Sequence, residues 1–234
     1  MVDIGFFGIS VKKGELAIIG SKAGVGQSAL AYSIFRNIGI INCIPTGLIT
    51  TGKFSGKDLI WRLISYETGI KYIKLLKGLL NDDDVAKISS AVRKLNASPF
   101  FTEDLPNGSF NEIEAAVKIM AAEKHCEIIF IDGLDYLNEV ENGKMNMSEV
   151  VSQYKNLAQS ENLAVIMLMD LPAKDVAVTR TADASILLDI EIANDYENNP
   201  TKEARLLYCR NGCISEYGVF LENGMCTAGV AGGV

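Results

Sequence analysis

The 234 residues include one histidine, one tryptophan and five prolines. With His125 alone, no serine or cysteine triad can be assembled. Its place beside Cys126, just before an apolar run, predicts a helix end. Positive charge is also scarce: 22 lysines and arginines face 29 acids, for a net charge of −7. Dedicated duplex-DNA binders are more often basic. No apolar run approaches the roughly 20 residues of a membrane span. The start, Met1-Val2-Asp3-Ile4, lacks the basic region and apolar stretch of a signal peptide. These absences predict a cytoplasmic protein with no membrane partner. Five cysteines, an odd number, stand at spacings that fit no zinc motif. Cys209 and Cys213 lie four apart without a second pair. Cys43, Cys126, Cys209, Cys213 and Cys226 are therefore expected to be reduced thiols, buried or half-buried.

What the chain does have is a large apolar fraction, 48%, with 22% charged residues. That suits one globular domain of 1–234 with a sizeable core, ending in a flexible tail at 228–234. Apolar runs alternate with segments of helical spacing. Strands are predicted at Glu15–Gly20, Gly47–Thr51, Pro99–Thr102, Glu127–Asp132 and Leu163–Met169. Helices are predicted from Ser28 to Asn37, after Ser55, after Asn81, from Ser109 to Lys124 and from Met147 to Ser160. The apolar run Leu163–Met169 reads as a central parallel strand. Late strand signals at Ala184–Ile190, Ala204–Cys209 and Tyr217–Leu221 suggest hairpins at a sheet edge. Alternating strands and helices imply an α/β fold, its mostly parallel sheet covered on both faces.

Between the first strand and first helix lies Ser21-Lys22-Ala23-Gly24-Val25-Gly26-Gln27-Ser28-Ala29. Strand, glycine-rich turn and helix together are the context of a phosphate loop, residues 22–29. Glycines let backbone N–H groups point at phosphate oxygens, and the helix N-terminus adds partial positive charge. The usual pattern ends in Gly-Lys-Ser/Thr. Here the lysine that meets the terminal phosphates is the neutral amide of Gln27. Gly24-Val25-Gly26-Gln27-Ser28-Ala29 also fits G-x-G-x-x-A. A dinucleotide fold wants a ribose-binding acid about twenty residues on, and Cys43-Ile44-Pro45-Thr46 offers none. About a hundred residues downstream, Ile128-Ile129-Phe130-Ile131-Asp132 is a buried strand ending in an acid. Asp132 and Ser28 are the candidate ligands for a magnesium ion carried with ATP or another nucleotide.

The segments around these motifs resemble the RecA-like ATPase domain of DnaB-type replicative helicases. The likeness runs in order through residues 55–70, 74–84, Pro99-Phe100-Phe101-Thr102-Glu103-Asp104 and Ile131-Asp132-Gly133-Leu134-Asp135-Tyr136-Leu137. It continues through Thr181-Ala182-Asp183-Ala184-Ser185 and Cys209-Arg210-Asn211-Gly212, and covers about residues 13 to 222. It implies a RecA-like three-layer P-loop fold, ATP with magnesium, and single-stranded DNA and replication proteins as partners. It also implies homo- or hetero-oligomers in which Arg210 is the candidate arginine finger.

Several positions depart from the family pattern. Besides Gln27, the family's general-base glutamate aligns with Thr51-Gly52-Lys53, which puts the cation Lys53 in its place. The polar sensor ending the strand after Asp132 becomes Asp170, and a lysine two residues before the finger becomes Tyr208. Lys22 resembles the extra lysine of ParA/MinD ATPases, which also keep the later one; the alternative is a solvated surface lysine. The family's DNA-binding loops look shortened at 138–147 and at 170–183. Its N-terminal domain and linker helix have no counterpart in these residues, so the chain alone is expected to be a monomer or weak oligomer. The expectation is a nucleotide-binding, hydrolysis-impaired relative in a DNA-replication setting. The alternative is an active ATP-dependent helicase or translocase domain.

Overall fold

The computed structural model describes residues 2–3, 10–22, 27–52, 55–170, 181–190, 203–210, 213–222 and 225–228. Two short strands, β1 (Val2–Asp3) and β2 (Ser10–Val11), pair antiparallel on their own. The other nine strands form one sheet. They are β3 (Leu16–Ser21), β4 (Thr46–Thr50), β5 (Phe100–Asp104), β6 (Ile128–Asp132), β7 (Ala164–Asp170), β8 (Ala184–Ile190), β9 (Glu203–Arg210), β10 (Cys213–Glu222) and β11 (Met225–Ala228). Their spatial order is β11-β10-β9-β8-β3-β7-β6-β4-β5. The run from β8 to β5 is parallel, and β9, β10 and β11 extend it antiparallel. The expected sheet with edge hairpins is thus present. The segment Ala184–Ile190 belongs to the parallel set, because it pairs with β3 before the chain turns back into β9.

The helices cover both faces. They are α1 (Gln27–Arg36), α2 (Gly56–Thr68), α3 (Tyr72–Leu76), α4 (Asp82–Asn96), α5 (Phe110–Lys124), α6 (Asn138–Glu141) and α7 (Met147–Ser160). The central strands explain why both faces are covered. In β6, Ile128 and Phe130 enter the core beneath α1 and α2, while Ile129 and Ile131 enter the core beneath α5 and α7. In β7, Ala164, Ile166 and Leu168 alternate in the same way with Val165, Met167 and Met169. Successive side chains of a strand point to opposite faces, so an uninterrupted apolar run needs a helical layer on each side. Phe35 of α1 anchors the first layer, packing edge-on to Phe100 and Phe130 at centroid distances of 5.7 and 5.5 Å. Trp61 is half-buried against the same core, as a helix-interface residue should be.

Helix starts follow local chemistry. Ser55, Asn81, Ser109 and Asn146 each cap a helix through a full capping box, closed by Asp58, Asp84, Glu112 and Glu149 respectively. His125 ends α5 with φ +53° and its N–H on the carbonyl of Met120, the helix end expected for it. The first helix ends at Arg36, beside the expected Asn37, and Asn37–Ile41 continues the chain as a π-helix. One expectation needs correction. Cys43 is exposed rather than buried, since it sits in the turn after that π-helix with φ +53°. Cys126 is buried as expected, and the other three cysteines lie where no side chain is described. Residues 229–234 of the expected tail also lie outside the described residues. No described helix is long and apolar enough to cross a membrane.

Phe35 is fully buried and packs against two other rings, so Phe35→Ala should cost about 3–5 kcal/mol. Urea unfolding of the two proteins measures this. A loss below about 1 kcal/mol would mean that the ring cluster does not anchor the α1 layer.

Candidate functional site

Parallel strands all end on one edge of the sheet, and ligand sites of open α/β folds gather at that edge. Here the carboxyl ends of β3, β4, β6 and β7 bring together residues far apart in sequence. Thr50 is the register partner of Asp132, and Ser21 is the partner of Asp170. Helix α1 starts at Gln27, six residues past Ser21, so its N-terminus lies over the same edge.

Asp132, 7% exposed, ends β6. Its Oδ2 accepts a hydrogen bond from the Tyr32 hydroxyl at 3.0 Å, and the Ser28 side chain is a second hydrogen-bond partner. Ser28 and Tyr32 are four apart on α1, which puts them on one face. The two candidate metal ligands are therefore neighbours. A serine hydroxyl beside a carboxylate is the hard oxygen chemistry that magnesium takes, so the residues present fit that ion. Among the described residues no group of three or more His, Cys, Asp or Glu could hold a metal by itself.

Burial pushes the Asp132 carboxyl up to about 6. The charges of Asp170 and Asp135 add to the rise, against the hydrogen bonds from Tyr32 and Ser28. Burial likewise raises Asp135. It also raises the Tyr32 phenol, assisted by Asp132, so Tyr32 stays a neutral donor.

The altered positions meet each other. Gln27 Nε2 donates to Asp170 Oδ1 at 2.9 Å, and Gln27 Oε1 accepts from Ser21 Oγ at 3.2 Å. The Asp170 backbone N–H donates to Asp135 Oδ2 at 2.9 Å. The amide in the lysine's place and the carboxylate in the sensor's place thus form one hydrogen-bonded bridge across the ends of β3 and β7. On the far side, Thr51 N–H donates to the Asp132 carbonyl at 2.9 Å, and Thr51 Oγ1 donates to the carbonyls of Asp132 and Gly133. Gly133 has φ +93°, and a Cβ there would lie 2.9 Å from Thr51 Oγ1. Only glycine suits that turn.

Of the other site candidates, Lys22 is exposed and its carbonyl accepts from Ser21 Oγ, and Ala29 is buried in α1. Ala23, Gly24, Val25, Gly26 and Lys53 lie outside the described residues. Arg210 is not brought to this edge. It is the register partner of Ala184, and Ala184 pairs with Ala17 near the start of β3. Arg210 is therefore at the amino edge of the parallel strands, about 13 Å of strand below the level of Ser21 and two strands away. Sequence reasoning did not single out Tyr32, Ser21 or Asp135. The i, i+4 spacing from Ser28 was the available signal for Tyr32; nothing local marks the other two.

A parallel sheet with a glycine loop after one strand and an acid ending another is the arrangement of a RecA-like α/β domain. Solved structures bear this out for the fold. An ATPase domain superposes with a TM-score of 0.75 at 18% identity, covering 93% of this chain and 85% of that one. A DnaB-like replicative helicase, solved for its interactions with primase, also gives 0.75 and 18%, covering 92% of this chain and 57% of that one. The family model of the DnaB-like helicase C-terminal domain matches residues 6–189, and the chain belongs to that family. The replicative DNA helicase DnaB of Treponema pallidum is 28% identical over 157 residues, 66% of this chain and 36% of that protein. A probable replicative DNA helicase of Trieres chinensis is 30% identical over 165 residues, 68% of this chain and 36% of that protein. The chain thus spans about a third of the length of these relatives.

The burial of Asp132 has a measurable sign. Its folded-state pKa is raised, so its stabilising contribution is present at low pH and is lost as pH rises from about 4 through about 6. Wild-type protein should lose roughly 2–3 kcal/mol relative to Asp132→Asn between about pH 4 and pH 7. Urea unfolding of both proteins at the two pH values tests this. A difference that does not change with pH would mean that Asp132 is solvated.

Proposed function

We propose that this chain is the nucleotide-binding domain of a DnaB-like replication protein in which ATP hydrolysis is impaired. The observation that carries the reading is the Gln27–Asp170 hydrogen bond. Phosphoryl transfer depends on positioned groups and on stabilising negative charge. An amide in the lysine's place can donate a hydrogen bond but brings no charge, and here one of its two N–H donors is already engaged by a carboxylate. Lys53 stands in the general base's place in the sequence, and a lysine cation cannot take a proton from an attacking water. Removing one preorganised donor from such a site costs about 10²–10³ in rate. Losses within one site do not simply add, but three together leave little turnover.

Nucleotide binding itself is supported by the parts that remain. The glycine loop and the α1 N-terminus offer backbone donors to inner phosphates. Ser28 and Asp132 would hold a magnesium ion bound with the phosphates, and the ion would neutralise phosphate charge there. Tyr32 would orient the Asp132 carboxylate through its hydroxyl. The context of single-stranded DNA, replication proteins and oligomers comes from the family. Within such an oligomer Arg210 would act only on another copy, because its own site is at the opposite edge of the sheet.

A second reading, an active ATP-driven helicase or translocase domain, draws on the contact between Ser28 and Asp132. Turnover separates the two. The unmodified chain with ATP, magnesium and single-stranded DNA should stay near background in a phosphate-release assay. Gln27→Lys combined with Lys53→Glu should raise the rate by at least about tenfold. Robust DNA-stimulated turnover by the unmodified chain would overturn the reading.

A further inference from the structure

Strand β5 closes one end of the sheet. It pairs with β4 and, among the described residues, with nothing on its other side. The inner ladder fixes which backbone groups face outward. The Pro99 carbonyl accepts from the Thr46 N–H at 3.0 Å, and the Leu105 N–H donates to the Thr50 carbonyl at 2.8 Å. Successive residues of a strand bond to opposite sides, so Phe100, Thr102 and Asp104 turn their N–H and C=O groups away from β4. The Phe100 N–H is taken by the Ser98 carbonyl at 2.9 Å, which leaves Thr102 and Asp104 as outward donors. Such a row of groups is a template for another strand.

Beside this edge, on the face that carries Phe101, α5 leaves an open groove of about 570 Å³. Phe101, Leu105, Ala116, Ile119 and Met120 line it, with Lys124 at one end. Ile119 is 51% exposed, and Ala115 and Ala122 continue an exposed apolar stripe along the same helix.

Charge selects the occupant. Glu103 shares the Phe101 face and is exposed. Lys124 Nζ lies 5.6 Å from the centroid of the Phe101 ring. Among the described residues neither Glu103 nor Lys124 is in an ion pair. Asp104 is turned to the other face, where its Oδ1 accepts from the Thr50 hydroxyl and the Gly56 N–H at 2.7 Å each. An apolar foreign strand would desolvate Glu103 and offer it nothing. A second copy, antiparallel about a twofold axis at Thr102, sets Glu103 opposite Phe101, beside Lys124, and does so twice. In that register each Thr102 N–H meets the Thr102 carbonyl of the other copy, and each Asp104 N–H meets the other Phe100 carbonyl. An axis at Glu103 would use the same donors but set two carboxylates directly opposite each other, which is destabilising.

We propose that β5 is a self-pairing edge through which two copies of this chain join. Their Phe100–Asp104 strands run antiparallel, the α5 helices lie side by side over the joined grooves, and Lys124 of each copy pairs with Glu103 of the other. The proposal is independent of the nucleotide-binding reading, since it uses no residue of that site.

Sedimentation velocity of the full chain without nucleotide tests it. Physiological salt largely screens the net charge of −7. Between about 1 and 200 μM, monomer should give way to dimer with a Kd below about 100 μM. Thr102→Pro removes an outward N–H while leaving the β4 ladder whole, and should raise that Kd at least about tenfold. Glu103→Lys alone and Lys124→Glu alone should each do the same, because each sets like charges together. Mixed in equal amounts, these two charge variants should pair with each other about as well as wild type, since the mixture restores both ion pairs. Both positions are exposed, so these variants decide the matter even if Thr102→Pro does not fold. A wild-type chain that stays monomeric through this range would overturn the proposal. So would an oligomer of any size that the substitutions leave intact, or a mixture of the charge variants that stays monomeric.

Discussion

The buried carboxylate of Asp132 is the constraint around which this edge of the sheet is arranged. A carboxylate 7% exposed must find donors or give up its charge. Tyr32 and Ser28 supply donors from α1, and that pins the helix to the end of β6. The Asp132 carbonyl is used as well, taking the Thr51 N–H and hydroxyl, which pins the chain leaving β4. One residue thus ties together three connections that follow strands. Gly133 supplies the positive φ and the missing Cβ that let these chains approach.

Around that anchor, polar groups are paired with each other. Gln27 bridges Ser21 and Asp170, and Asp135 holds the Asp170 backbone. The bridge supplies hydrogen bonds from within the chain, so a ligand entering here would exchange old bonds for new ones rather than simply add them.

Much of this was legible in the sequence because it is local. The runs Ile128–Ile131 and Ala164–Met169 announce strands buried on both faces. Ser55, Asn81 and Ser109 announce helix starts through an acid three residues on. The loop and the acid of Asp132 were recognisable, and the fold places Ser28 beside that acid. What the sequence hid is non-local. Gln27 and Asp170 are 143 residues apart, and only the parallel register of β3 with β7 makes them partners. Departures from a family pattern were visible one by one; that two of them bond to each other was not. The exposure of Cys43 depends on a π-helix that periodicity does not reveal, since five residues are too few to show a period.

The placement of Arg210 carries a consequence for kinetics. It pairs with Ala184 at the amino edge of the sheet, while Gln27, Ser28 and Asp132 gather at the carboxyl edge. A residue so placed is tied by its strand to stay away from the site of its own chain. Anything Arg210 contributes to a bound phosphate is therefore governed by mass action between molecules. Such a contribution would grow with the concentration of the chain, vanish on dilution, and be invisible in a copy held apart from others.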